Sequence, residues 1–513
     1  MTDYSCCSQA DTSPSRSAIG MPKAYIHGLL TVLALVIELA IPANGEEVPS
    51  SPPITMMYHE AMQKIGEEIA AVTKTNDLLV ILLFDESESL LGDRKVVANE
   101  LDRLASDLGS KLKPNQMSRL KWGLVSFEFT PKIVVQPTDN ISAIMDGLPR
   151  IWKDDSGLNH VFEAVSFTTE KFGTTDRTLF ILLVTDQDAN FRIRDYDKRF
   201  LKTRGDAQRA DAPIFVLGRE AAFQQSHVND VNRLPKSQRG SPWLWVIPGI
   251  ESCEQEFFTK DWLFNCLPAN SDSEVGSGFG SWSLTTMALL TGGHFFVIRG
   301  FSTSYNQEKM NSYGPEWVTP DEYKKRNAAS RLRTALRKIV DEWTKVRPIT
   351  ALFQFDMLKM ERDRDIEKAK SALEFVDGAT VELGGLKNLR SKDAFPPLRW
   401  QANYDLAMAQ LRKFHFMLGE YIAALEQTKT TGFPKPKPGE KFNYYKIGYN
   451  TQLVQPHTGA DGLKEMQKAK EGFDQIIRDY EGTPWAEAAK FQEPTTAPIE
   501  IVPAFDPHPS RPK

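Results

Sequence analysis

The 513-residue chain exceeds what one hydrophobic core usually supports, so two folded domains with tails are expected. Hydrophobic residues at 41% and charged residues at 25% exclude wholesale disorder and a polytopic membrane protein. With 62 basic against 67 acidic side chains, the net charge of -5 gives no global attraction to nucleic acid or to anionic membranes, and neither is expected as a partner.

The chain begins with an apolar run from Gly28 to Ile41, preceded by Lys23 and followed by Ala43-Asn44-Gly45. Residues 1–45 therefore read as a signal peptide cleaved before Glu46, with Met21 beginning a more typical leader. The run is short and interrupted by Glu38, so no integral membrane span is expected after cleavage, an uncleaved anchor being the alternative. The mature protein is then secreted or periplasmic. Of the four cysteines only Cys253 and Cys266 would remain, a candidate disulfide, although two free thiols would look the same in sequence.

Residues 46–57 are a Pro- and Ser-rich linker. A helix is expected at 58–73, and then Leu78 to Phe84, LLVILLF, is a continuous apolar run of strand length, as in a strand buried on both faces. A helix near 94–112, strands at 121–129 and 132–136, a helix at 159–172 and the strand Thr178 to Val184 come next in α/β order. Ile214 to Leu217 adds a strand, and a helix at Leu284 to Leu290 leads through Thr291-Gly292-Gly293 into the strand His294 to Ile298. This predicts an α/β domain over 58–320, a doubly wound, mostly parallel sheet. Residues 219–280, with both remaining cysteines and the stretch GSGFG, read as an insertion elaborating the surface.

From 321 to 491 the pattern is all-helical. Leu332, Leu336, Ile339, Val340 and Trp343 share one face, and Tyr404, Ala407, Leu411, Phe414, Leu418, Tyr421 and Leu425 form a long seam at spacings of three and four. Leu463, Met466, Ala469, Phe473, Ile477 and Tyr480 repeat it, and Thr483-Pro484 opens a further helix. The stretch AKEGFDQIIRDYEGTPWAEAA at 469–489 resembles tetratricopeptide-like helix pairs, while a simple helical bundle explains the same seams. Residues 430–458 read as a Pro- and Tyr-rich connection and 492–513 as a disordered tail.

The chemistry-bearing segment is Asp85-Glu86-Ser87-Glu88-Ser89, a D-x-S-x-S pattern directly after a buried strand. In parallel α/β sheets ligands sit beyond the carboxyl ends of strands, and a second buried strand ends in Thr185-Asp186 at the same rim. Hydroxyl and carboxylate oxygens, without an H-x-x-x-H pair, suit Mg²⁺, Mn²⁺ or Ca²⁺ rather than zinc. The remaining acids nearby, Glu86, Glu88 and Asp188, read as solvated loop charges, and His160 and His294 as packed or surface imidazoles.

On these residues the segment 77–299 resembles the von Willebrand factor A family and its metal-ion-dependent adhesion site. The resemblance implies Asp85, Ser87, Ser89 and Asp186 as metal ligands, with Asn159 standing where the family has a threonine. An asparagine carbonyl oxygen can serve a hard cation. The family implies Mg²⁺ and a protein partner that presents an Asp or Glu to the open metal position, an adhesion or scaffolding role without catalysis. Two other readings stand beside it. One is a metal-free helical adaptor with a structural α/β domain. The other is a hydrolase using Asp85 as nucleophile in the manner of haloacid dehalogenase phosphatases, although Ser87 stands where that motif has its second aspartate.

Overall fold

The computed structural model describes residues 57–153, 160–188, 196–223, 249–256, 258, 275–299, 305, 307–343, 345–346, 352–354, 358–392, 397–450, 452–453, 455–494 and 496–505. The leader at 1–45, almost all of the linker, Asn159 and Cys266 lie outside these residues, so the disulfide and the asparagine ligand do too. From Val48 onward the chain belongs to one compact unit.

In chain order the first region contains α1 (Tyr58–Thr73), β1 (Leu78–Asp85), α2 (Leu91–Lys111), β2 (Leu120–Phe127), β3 (Lys132–Thr138), α3 (Ile141–Gly147), α4 (Val161–Phe172), β4 (Thr178–Val184), α5 (Tyr196–Arg209), β5 (Ile214–Ala222), β6 (Gly276–Gly280), α6 (Trp282–Leu290) and β7 (Phe295–Arg299). Seven strands form one sheet in the order β3-β2-β1-β4-β5, with both β6 and β7 paired to β5. The pairs β1–β2, β1–β4, β4–β5 and β5–β7 are parallel, and β3 and β6 are antiparallel. The fold class is the expected α/β sheet followed by a helical region.

The apolar run of β1 is explained by its neighbours. Leu78, Val80, Leu82 and Phe84 meet Ile65 and Ile69 of α1, Leu101 and Leu104 of α2 and Ile144 of α3. Leu79, Ile81 and Leu83 point the other way, to Val161 and Val165 of α4, Phe200 of α5 and Trp282 and Met287 of α6. A strand whose alternate side chains enter two cores has no polar face to show.

The insertion departs from its expected surface role. Many of its described residues are buried: Glu251, Glu256, Phe258 and all of β6 are out of solvent. The glycines of GSGFG are needed for close approach, since a Cβ at Gly280 would lie 2.4 Å from the Phe295 ring. Phe258 sits in the core of the helical region, edge-on to Trp343 and Phe414.

That region comprises α7 (Pro320–Ala329), α8 (Arg331–Trp343), β8 (Leu352–Gln354), α9 (Leu358–Gly384), α10 (Pro397–Thr431), β9 (Tyr444–Tyr449), α11 (Gly459–Asp479), α12 (Pro484–Gln492) and β10 (Ile499–Ala504). Every member of the Tyr404-to-Leu425 seam is buried in one core with Leu332, Leu336 and Trp343. Contacts fix the directions. Tyr404 donates to the Leu383 carbonyl and Tyr421 to Asp365, so α9 runs antiparallel to α10. Glu420 accepts from the backbone of His457 while Tyr480 donates to Asp405, so α11 runs antiparallel to α10 on another side. α9, of 27 residues, and α11, of 21 residues, thus both pack on the central 35-residue α10.

In the second seam Leu463 is exposed, while Met466 packs against the core. Two further expectations are corrected. The connection at 430–458 contains β9, and the tail expected to be disordered contains β10, which pairs antiparallel with β9 from Ile499↔Tyr449 to Ala504↔Tyr444. Ile499 and Ile501 are buried and Glu500 is exposed, the period-2 pattern of an amphipathic strand. Among the described residues no helix is long and apolar enough to cross a membrane.

Candidate functional site

Register builds the site. Phe84 pairs with Val184 and Asp85 with Phe127, so the ends of β2, β1 and β4 lie side by side. The segments that leave these strands converge on one rim: Glu86-Ser87 after β1, Glu128 after β2, and Thr185-Asp186-Gln187-Asp188 after β4. All of these residues are buried.

Asp85 is the hub. Its Oδ1 accepts from the Ser87 backbone N–H at 2.8 Å and from the Ser87 hydroxyl, and its Oδ2 accepts from the Thr185 hydroxyl at 2.6 Å. Gln187 Nε2 donates to Ser87 Oγ at 3.2 Å, and Ser87 Oγ also lies 3.2 Å from Glu128 Oε2. Burial pushes the Asp85 carboxyl above its ordinary value, opposed by the hydrogen bonds from Ser87 and Thr185 and by one with Glu128. Thus the structure joins Asp85 to Ser87 and to the Thr185-Asp186 turn. Ser89 lies further on and is exposed, in the 3-10 segment Glu88–Leu90, whose Leu90 is buried.

Two acids expected in solvent are inside. Glu86 accepts from Ser126 Oγ at 2.7 Å and pairs with Lys132 Nζ at 3.0 Å, tying β1 to β2 and to β3. Asp188 accepts from the Ser283 hydroxyl at the start of α6. Gly249, at φ 76°, passes so close that a Cβ would lie 2.6 Å from an Asp188 oxygen, which brings the insertion against the rim. Glu88 behaves as expected, exposed and 2.7 Å from Lys153.

Glu128, Thr185 and Gln187 are the participants that sequence reasoning missed. Glu128 left a signal, as the first residue after the buried LVSF of β2, but its relevance depends on that strand lying next to β1. Around the rim, Phe129 is 56% exposed against the His160 ring and Trp152 is 75% exposed, two apolar groups in water beside a polar centre. Arg94 donates to the carbonyls of Glu86, Ile151 and Trp152, which fixes the Trp152 backbone next to the Asp85 loop.

The donor set is oxygen from one hub carboxylate, hydroxyls and adjacent carboxylates, suited in type to a hard divalent cation. Among the described residues no group of three or more His, Cys, Asp or Glu is arranged to hold a metal. That absence does not conflict with the donor chemistry, because Mg²⁺ keeps several waters and is held through one or two carboxylates. A buried carboxylate clasped by hydroxyls fits such an ion, and Asp85, Ser87, Ser89 and Asp186 are the residues that would hold it.

No family model matches the chain, and no curated protein matches it. Among solved structures it is similar to the conserved hypothetical protein BatB from Bacteroides thetaiotaomicron, at 12% identity over 46% of this chain and 95% of that one, TM-score 0.25. It is similar to an aerotolerance-related membrane protein from Bacteroides fragilis, carrying multiple mutations to serines, at 12% identity over 48% and 99% of the two chains, TM-score 0.25. It is also similar to proximal thread matrix protein 1 from the mussel byssus, whose MIDAS motif is occupied by zinc, at 16% identity over 29% of this chain and 39% of that one, TM-score 0.23.

Proposed function

We propose that the chain is an exported, non-enzymatic protein-binding module in which Asp85, Ser87, Ser89 and Asp186 hold a divalent cation, Mg²⁺ by preference. An acidic side chain of a protein partner completes the ion's shell, and the role is adhesion or scaffolding. The observation that carries the reading is the buried Asp85, clasped by Ser87 and Thr185 where the ends of β1 and β4 meet. A carboxylate withdrawn from water is costly unless compensated, and a cation shared with an incoming acid compensates it.

Exposed Phe129 and Trp152 beside the rim support a macromolecular partner, since aromatic groups anchor protein interfaces. The nucleophile reading has less support: Ser87, a hydroxyl donor to Asp85, occupies the position where an acid would have to protonate a leaving group.

Titration of the full mature chain with Mg²⁺ and Mn²⁺ by calorimetry tests the proposal, with Asp85→Ala and Asp186→Ala as controls. Saturable binding lost in both variants is expected. A folded wild type that binds neither ion would overturn it and favour the metal-free adaptor, whose partner capture would persist in EDTA and map to 346–491.

A further inference from the structure

Glu128 has no role in the cation site as proposed so far, yet it is the rim's second buried acid beside Ser87. Its position comes from register: β2 ends at Phe127, opposite Asp85, and the Phe127 carbonyl accepts from the Glu86 N–H at 2.8 Å. The next residue is therefore carried past the sheet edge alongside Ser87. Its backbone carbonyl accepts from His160 N–H at 3.0 Å, the residue that opens α4, so it is held from two elements. Its side chain is 1% exposed.

The chemistry turns on a single proton. A serine hydroxyl donates once and accepts twice. Ser87 Oγ has two carboxylate oxygens within reach, Asp85 Oδ1 and Glu128 Oε2, and one donor pointing at it, Gln187 Nε2. With its proton on Asp85, the hydroxyl occupies a lone pair that a cation would need. With its proton turned to Glu128, the same hydroxyl frees the Asp85 Oδ1 lone pair it occupied, while the Ser87 N–H still donates to that oxygen.

We propose that Glu128 is a positioning residue of the cation site, accepting the Ser87 hydroxyl's hydrogen bond and so freeing an Asp85 lone pair for a divalent ion. The proposal rests on the metal-binding function and assigns to this chain a second acid at the rim, from a third strand end.

The test measures Mn²⁺ binding by calorimetry in the full chain for wild type, Asp85→Ala, Glu128→Gln and Glu128→Ala, and thermal melts of each in EDTA. Loss of an orienting acid beside a metal ligand typically weakens affinity about 10- to 100-fold, and that loss is expected in Glu128→Ala, with a smaller one in Glu128→Gln, whose amide oxygen is a weaker acceptor. The melting temperature of Glu128→Gln in EDTA is expected to equal that of wild type, because an acceptor oxygen for Ser87 is kept. Unchanged affinity in both variants, with binding abolished in Asp85→Ala, would overturn the role of Glu128 and leave the metal reading intact. Weakened affinity with an equally lowered melting point in Glu128→Gln would mark a structural prop and also overturn it. No binding in folded wild type would overturn both readings together.

Discussion

Two regions bury carboxylates, and they do so in opposite ways. At the sheet rim, Asp85 is met by the hydroxyls of Ser87 and Thr185. At the junction between the insertion and the helical region, Glu251 and Glu256 are met by the Arg399 guanidinium at 3.0 and 2.7 Å, and Glu316 by Arg333 at 2.6 Å. Arg333 also lies over the Trp400 ring, and Asn403 joins Glu256 to the Trp485 indole. A guanidinium neutralises a buried acid permanently, whereas hydroxyls hold it in place without cancelling its charge. The junction is built to stay closed. Under the proposed function, the rim would receive a cation.

The contrast can be broken most severely at the junction. Arg399→Ala would leave Glu251 and Glu256 buried without their guanidinium, and a destabilisation of about 3–5 kcal/mol is expected in urea unfolding. If that variant unfolds at the wild-type midpoint, the junction is not a structural clasp. A smaller loss is expected from the far side of the same region. Ile499→Ala removes a fully buried side chain from β10 and should cost about 2–3 kcal/mol, whereas a truly disordered tail would make it silent.

At the rim the effect should depend on pH. Folding raises the Asp85 carboxyl above its ordinary value of 3.8, so in that range the native state holds its proton more tightly than the unfolded chain. Its contribution to stability is whole below 3.8 and is lost as pH climbs through the raised folded value. In EDTA the stability of Asp85→Asn minus that of wild type should therefore grow with rising pH across that window. A difference that shrinks instead would mean that Asp85 is stabilised as an anion without a metal. The smallest effect on stability is expected at the rim's edge, where Phe129→Ser and Trp152→Ser should stay within about 0.5 kcal/mol. If the rim is a docking face, the same two changes should weaken capture of an acidic partner in a pull-down from extracytoplasmic extract.

How much of this is legible in the sequence depends on distance along the chain. The strand Thr178–Val184 and the helix Tyr58–Thr73 are predicted to the residue, because a doubly buried strand must be apolar throughout and an amphipathic helix must repeat its stripe. Asp85, Ser87 and Asp186 are legible as residues placed just beyond such strands. Glu86 and Asp188 read as solvated and are not, since an acid beside a strand end looks the same in sequence whether Lys132 and Ser283 cover it or water does. The strand Ile499–Ala504 has a pattern of only Ile499, Glu500 and Ile501 to announce it, too short to outweigh the prolines around it.

The amino-acid order by itself determined which long apolar segments must be buried, where β1 and β4 end to within a residue, and which oxygen-bearing side chains stand at those two ends. Those properties are local, set by apolar periodicity within a few residues. Only the tertiary structure decided that Glu128 stands beside Ser87, that the insertion turns inward, and that Arg399 meets Glu251 from 148 positions away. A charge becomes buried, paired or poised only through neighbours brought from distant parts of the chain, and strand register and helix docking choose those neighbours.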